Sequence, residues 1–275
     1  MSQMMVQAAV TMGQLQNKLD VIGNNLANSQ TTGYKSRQVE FSSLLFQQIN
    51  NMTHPSNALA RVTPDGIRVG TGAKLGSINS NLSSGALQTT DRDLDTALIN
   101  ESHLFTVEVI QNNQSEIQYT RDGSFYLQPI RNDSVMLTTA DGNPVLGRNG
   151  RIEIDAGFDS INILSDGNII VKRGDNTENV DSLQIYEAHK PRLLEAAGDN
   201  LFRIPDEILL TENIDTILEQ VGNGNNLVQS GTLESSNVDM AEQMTEMINT
   251  QRSYQFNART ISMADQMMGL VNQLR

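Results

Sequence analysis

Two helical stripes, one at each end of the chain, constrain the fold of this sequence more than any other feature. From Met5 the apolar or small positions run Met5, Ala8, Met12, Leu15, Leu19, Ile22 and Leu26. The steps alternate between three and four, which is an a/d heptad pattern. Near the other end Met240, Met244, Met247, Tyr254, Ala258, Ile261 and Met268 fit a similar register, interrupted at Gln251 and Asp265. Such a stripe is too narrow for a globular surface helix and suits a seam against another helix. The spacing therefore predicts that the two ends meet each other, the ends of other copies, or both.

The first helix is expected over about residues 3–28, nearly 40 Å at roughly 1.5 Å per residue. Gly13, Gly23, Asn24, Asn25 and Asn28 are poor helix formers, so this helix needs partners to persist. The polar run from Asn28 to Gly33 stops it, and Asn25, Asn28 and Gly33 are expected to shape the turn that follows. The last helix is expected from near Asn237 to about Leu274, with Asp239 and Glu242 complementing the positive end of its dipole.

Between the helices the texture changes. Residues 34–85 read as an extended linker, with an apolar patch at Phe41, Leu44, Leu45 and Phe46 and turn formers from Asn50 to Gly72. Residues 86–204 read as β-structure. Phe105, Val107 and Val109 alternate with polar residues, as do Ile117 and Tyr119, Ile152 and Ile154, and Ile161 and Ile163. Asp122-Gly123, Asp141-Gly142, Asn149-Gly150 and Asp166-Gly167 punctuate these runs as turns, the signature of antiparallel strands. Residues 206–221 are ambiguous, because Ile214, Ile217, Leu218 and Val221 have helical spacing in a short segment. The expected class is α+β. Residues 1–33 and 236–275 form a discontinuous, coiled-coil-like inner domain, 34–85 the linker, and 86–235 a mostly antiparallel outer domain.

Chemistry is hard to place on this chain. His54, His103 and His189 have no metal-ligand spacing. Gly70-Thr71-Gly72-Ala73-Lys74 resembles a phosphate loop but lacks four residues between its glycines and a Ser or Thr after the Lys. Asp91, Asp93 and Asp95 alternate as in a calcium loop, yet Thr96 and Ser102 stand where Gly and Glu are required. Acid pairs such as Glu207 and Glu212 are too common here to single out. A net charge of -13 disfavours nucleic acids and anionic lipid surfaces. Without Cys there is no disulfide, thiolate metal site or Cys nucleophile. No run of 18 apolar residues spans a membrane, and no basic segment followed by an apolar one marks a cleaved export signal. No catalytic residue, metal or cofactor is expected.

Several runs are similar to the flagellar rod and hook family, the axial proteins of the bacterial flagellum. Leu19 to Asn28, reading LDVIGNNLAN, continues through Thr31-Thr32-Gly33-Tyr34-Lys35 and resembles the family's signature segment almost residue for residue. Further matches are Leu87 to Asp91 with Leu94 and Asp95, Tyr119 to Phe125 (YTRDGSF) and Gly198 to Phe202 (GDNLF). Gly231 to Asp239 (GTLESSNVD) follows, with Gln251, Arg252, Tyr254, Asn257, Ala258 and Asp265. Arg61 to Gly72 looks most like the distal-rod subgroup, and the modest length favours rod over hook. Residues 205–221 have no counterpart in the pattern.

The resemblance implies an inner domain of both terminal helices, a β-rich outer domain, export through the flagellar type III apparatus, and helical stacking into a tube with a central channel. Its partners would be other copies, other axial proteins and the export apparatus, in the basal body across the cell wall. On this reading Leu15, Leu19, Ile22 and Leu26 at the front and Met244, Met247, Tyr254, Ile261 and Met268 at the back form the assembly interface. Arg252 and Arg259, seven apart on one face, either meet acids of a neighbouring subunit or form a solvated surface. The competing functions are a hook or rod–hook junction subunit and, from a different class, a secreted cell-wall glycan hydrolase.

Overall fold

Both terminal segments are helical. Ser2–Ala27 forms the N-terminal helix and Met240–Gln273 the C-terminal helix, about 39 and 51 Å long at 1.5 Å per residue. The computed structural model describes residues 2–43, 46–49, 67–70, 73–111, 114–131, 133–198, 200–210, 213–222, 224 and 226–273. Leu44, Leu45, His54, Glu212 and Leu274, the turn formers from Asn50 to Gly66, and Thr71 and Gly72 lie outside the described residues. The C-terminal helix begins at Met240 rather than near Asn237, because the Asn237 side chain is engaged elsewhere.

The chain is α+β, with antiparallel strand pairing and a helix at each end. It divides into two units: Met1–Leu26, Arg37–Asn79 and Met240–Arg275 form one, Ala27–Ser36 and Ser80–Asp239 the other. In the first, the segment expected as a linker contributes a ribbon of Arg37–Ser43 beside Ala73–Ser80. Phe46–Ile49 and Ile67–Gly70 pair as a second, antiparallel ribbon.

The second unit is built around a six-stranded sheet. Its order is Glu195–Gly198, Leu201–Arg203, Gln114–Thr120, His103–Gln111, Ile185–Ala188 and Leu218–Gln220. Period-two alternation sends side chains to both faces. Phe105, Val107, Val109, Ile185 and Leu201 share one face with a large core that includes Ile152, Ile154, Ile161 and Ile163. Phe125 packs edge-on to Phe105 at 5.2 Å in the same core. Leu104, Tyr119, Tyr186, Ala188, Phe202 and Leu218 face the other way, under Leu82, Leu194, Ile204 and Ile217. Each such buried side chain contributes roughly 1.5–3 kcal/mol.

Residues 206–221 complete this second core. Ile214–Ile217 is one helical turn, and Leu218–Gln220 then joins the sheet edge with Leu218 opposite Ala188. Helical spacing switches to strand spacing inside this one short segment, which is why the pattern is ambiguous.

The glycines of Asp141-Gly142, Asn149-Gly150 and Asp166-Gly167 take positive φ angles of 85°, 118° and 84°, as turns require. Asp122-Gly123 is a correction. It makes no hairpin turn; Gly123 is needed because the Thr96 carbonyl occupies the space of a β-carbon.

Candidate assembly interface

Along the N-terminal helix, Met5, Ala8, Met12, Leu15, Leu19, Ile22 and Leu26 are all buried or half-buried, with Ala8 at 6% and Ile22 at 2% exposure. Val6, Val10 and Asp20 lie outside the stripe and are exposed. The heptad spacing therefore marks the covered face of this helix.

The C-terminal helix follows the expected register in one column and departs from it in the other. Met247, Tyr254, Ile261 and Met268 are half-buried. The companion column is Gln243, Thr250, Asn257 and Ala264, with Thr250 and Ala264 almost fully buried, at 4% and 5% exposure. Met244 is exposed, as are Met240, Gln251 and Asp265, while Ala258 is half-buried. One column thus sits a single residue earlier than hydrophobicity suggests. Small and polar side chains occupy that column, while Met240, Met244, Met263 and Met267 are exposed.

Side-chain contacts among the described residues join the helices. Lys18 Nζ lies 2.5 Å from Glu246 Oε1, and Asn25 Nδ2 donates to Gln243 Oε1 at 3.1 Å. Advancing along one helix retreats along the other, so the pair is antiparallel. Asn25 is 1% exposed and also brackets the first ribbon strand, accepting from Arg37 N and donating to Arg37 O, both at 2.9 Å. Leu26 lies on the covered stripe, and the Asn28 carboxamide accepts from the Thr31 hydroxyl at 3.2 Å.

The opposite face of the C-terminal helix also carries apolar side chains. Ile248, Phe256, Met263, Met267 and Leu270 are exposed, Phe256 by 70%. Arg252 and Arg259 are exposed on this helix as well. Both arginines fall among these apolar side chains at helical spacing, so the face is a set of exposed apolar groups interrupted by charge, a composition found on interaction surfaces.

In the second unit, three of the sequence motifs converge on one buried ion cluster. Glu234 accepts from Lys35 Nζ at 2.7 Å, from Gly85 N at 2.8 Å and from Arg121 Nε at 2.6 Å. All three charged side chains are at most 1% exposed. Arg121 spends its remaining donors on the carbonyls of Leu98, Asn100, Glu101 and His103 and on the Ser84 hydroxyl. Lys35 also donates to Ser83 O at 2.7 Å. Burial alone would raise the Glu234 carboxyl, but Arg121 and Lys35 outweigh it and hold it below the usual carboxylate range. Burial lowers the Lys35 ammonium, and Glu234 offsets this only in part, because Arg121 shares the same carboxylate.

Backbone geometry completes this clamp. Gly33 has φ 66°, its N–H donates to Glu234 O at 2.8 Å, and a β-carbon there would lie 2.6 Å from Asp122 N. The Asn237 side chain accepts from Ser36 N at 2.7 Å and donates to the carbonyls of Asn81 and Ser83 at 2.8 and 2.9 Å. Asn200, at φ 58°, donates to Thr32 O at 2.9 Å. Asp122, raised by burial, accepts from the Thr32 and Ser124 hydroxyls.

Sequence reasoning quotes Lys35, Arg121, Glu234 and Asn237 within its motifs and assigns them no role. The available signal is one acid and two cations embedded in uncharged or apolar surroundings. Elsewhere, Asp95 turns inward to the Thr90 hydroxyl at 2.8 Å, whereas Asp91 and Asp93 stay exposed. His189 pairs with Glu219 at 2.9 Å on the surface. His103 is a buried strand residue.

Comparison with known proteins matches the same segments. A family described as flagella basal body rod protein matches residues 7–35. The flagellar hook protein FlgE/F/G D1 domain matches 98–171, and the flagellar basal body rod FlgEFG protein C-terminal family matches 229–274. The chain is 39% identical to the flagellar hook-basal body complex protein FlhP of Bacillus subtilis, over 98% of both chains. It is 34% identical to the flagellar basal-body rod protein FlgG of Bacillus subtilis over 96% of both, and 34% identical to FlgG of Buchnera aphidicola over 93% of both.

Proposed function

The chain belongs to the flagellar basal-body rod and hook protein family, and on that premise we propose that it is a structural subunit of the flagellar rod. In this reading it is distal-rod-like and polymerises helically into a drive shaft with a central export channel. One observation carries the proposal: on the side away from its contacts with Asn25 and Lys18, the C-terminal helix leaves Ile248, Phe256, Met263, Met267 and Leu270 exposed. The uncovered face then meets neighbouring copies, and a contact between two different surfaces of identical subunits propagates into a helix rather than closing.

The coiled-coil-like inner domain belongs to the same reading. Leu15, Leu19, Ile22 and Leu26 on the first helix and Met247, Tyr254, Ile261 and Met268 on the last contribute to the interface, Asn25, Asn28 and Gly33 shape the exit of the first helix, and Met244 and Arg252 point toward neighbours. Partners are other copies, other axial proteins and the export apparatus, and the location is the rod across the cell wall. Torque transmission through packed helices requires no catalysis, so we assign no enzymatic role. Deleting residues 1–30 tests the reading: rods and motility should be lost, and their survival would refute it.

The printed name of the FlhP relative, a hook-basal body complex protein, favours one variant, a subunit nearer the hook junction. Labelling isolated basal bodies separates the two positions.

A further inference from the structure

The ion cluster and the helix seam are linked through the chain itself. Lys35 follows the N-terminal helix and Glu234 precedes the C-terminal helix; they are 199 residues apart in sequence and paired at 2.7 Å. Asn237 then binds Ser36, so both helix roots are held at one place within the β-rich unit. Beyond the clamp, Asn25 and Gln243 meet across 218 residues of sequence. With the clamp closed, that contact closes a path of only about 20 residues, because about ten lead to it from each root.

We infer that Glu234 and Asn237 are positioning residues that make pairing of the terminal helices a local event. With the β-rich unit folded, the unclamped path runs from Asn25 to Ser80 and from Thr232 to Gln243, about 65 residues, so under the −3/2 power law shortening it to about 20 raises the effective concentration of one helix at the other roughly six-fold. A marginal first helix containing Gly13, Gly23 and the pair Asn24-Asn25 near its end benefits most, because it does not persist without a partner. The β-rich unit folds first, closes the clamp and presents the two roots; the seam then zips outward from Asn25–Gln243 to Lys18–Glu246. The inference makes no use of polymerisation, so it stands or falls separately from the rod reading.

The absence of cysteine from the chain makes the test direct. Lys18→Cys and Glu246→Cys are introduced together, and intramolecular joining by a short bis-maleimide is timed in dilute monomer. The parent pair should join rapidly. Glu234→Gln should slow joining by about three- to six-fold. Because that variant also strips charge from a buried site, Lys35→Met with Asn237→Ala serves as the second release: it keeps the Arg121–Glu234 pair and should slow joining at least several-fold. Near-ultraviolet circular dichroism and protected strand amides report whether the β-rich unit stays folded. An unchanged joining rate in either variant with a folded β-rich unit overturns the inference, as does a parent that fails to join.

Discussion

Lys35 and Glu234 form an ion pair at 2.7 Å with side chains 0% and 1% exposed, and Arg121 reaches the other oxygen of the same carboxylate at 2.6 Å. One acid thus serves two buried cations, and the two partners of the pair are not equivalent. Removing the carboxylate strands both cations, whereas removing the ammonium leaves Arg121 and Glu234 matched.

Glu234→Gln should therefore cost about 3–5 kcal/mol, the range for breaking a buried pair from one side. Lys35→Met should lie within about 1–2 kcal/mol of the parent, because it removes a desolvated charge and fills the space with an apolar chain. Urea unfolding of both variants checks the asymmetry; equal losses would contradict it.

Gly33 and Gly13 should respond oppositely to alanine. Gly33 sits at φ 66° with Asp122 backbone 2.6 Å from where a β-carbon would stand, so Gly33→Ala should destabilise by at least about 2 kcal/mol. Gly13 is exposed in a helix with nothing within 4 Å of a β-carbon, so Gly13→Ala should favour the helix by up to about 1 kcal/mol. Thermal unfolding followed at the strand and helix signals separates the two effects.

Acid should weaken the β-rich unit in two windows. His103 is buried, its Nδ1 has no hydrogen-bond partner among the described residues, and burial lowers its pKa, with Glu187 opposing the lowering and Arg121 adding to it. The folded state therefore binds fewer protons than the unfolded one below the ordinary histidine pKa of about 6.5, so stability falls as pH drops through that value. Glu234, held below the usual carboxylate range, contributes stability above about 4.5 that is lost on further acidification. His103→Gln should flatten the first window and leave the second. Unfolding midpoints from pH 8 to about pH 2 give the test.

Periodicity made the helices and most of the sheet readable, because period-two runs such as Phe105 to Val109 meet a single buried face. It misplaced one column of the C-terminal seam. Met244 and Ala258 outrank Gln243 and Asn257 in hydrophobicity, yet a close helix pair takes small or hydrogen-bonding residues, as Thr250, Ala264 and the Asn25–Gln243 bond show. Gln251 and Asp265, which interrupt the expected stripe, were the sign that the column lies one residue earlier. The clamp was not legible, since nothing local in Lys35 or Glu234 points to a partner 199 residues away. Asp122-Gly123 misled for a similar reason: its glycine answers a tertiary contact with Thr96 rather than a local turn.

The outward face of the C-terminal helix carries the central claim. Phe256 and Met263 are 70% and 54% exposed, so Phe256→Asp with Met263→Asp should leave monomer stability within about 1 kcal/mol of the parent. The decisive measurement is incorporation of this double variant into purified basal bodies from cells lacking the parent gene. The account predicts a folded, stable variant absent from rods, and non-motile cells. Normal rods containing the variant at parental abundance would contradict it.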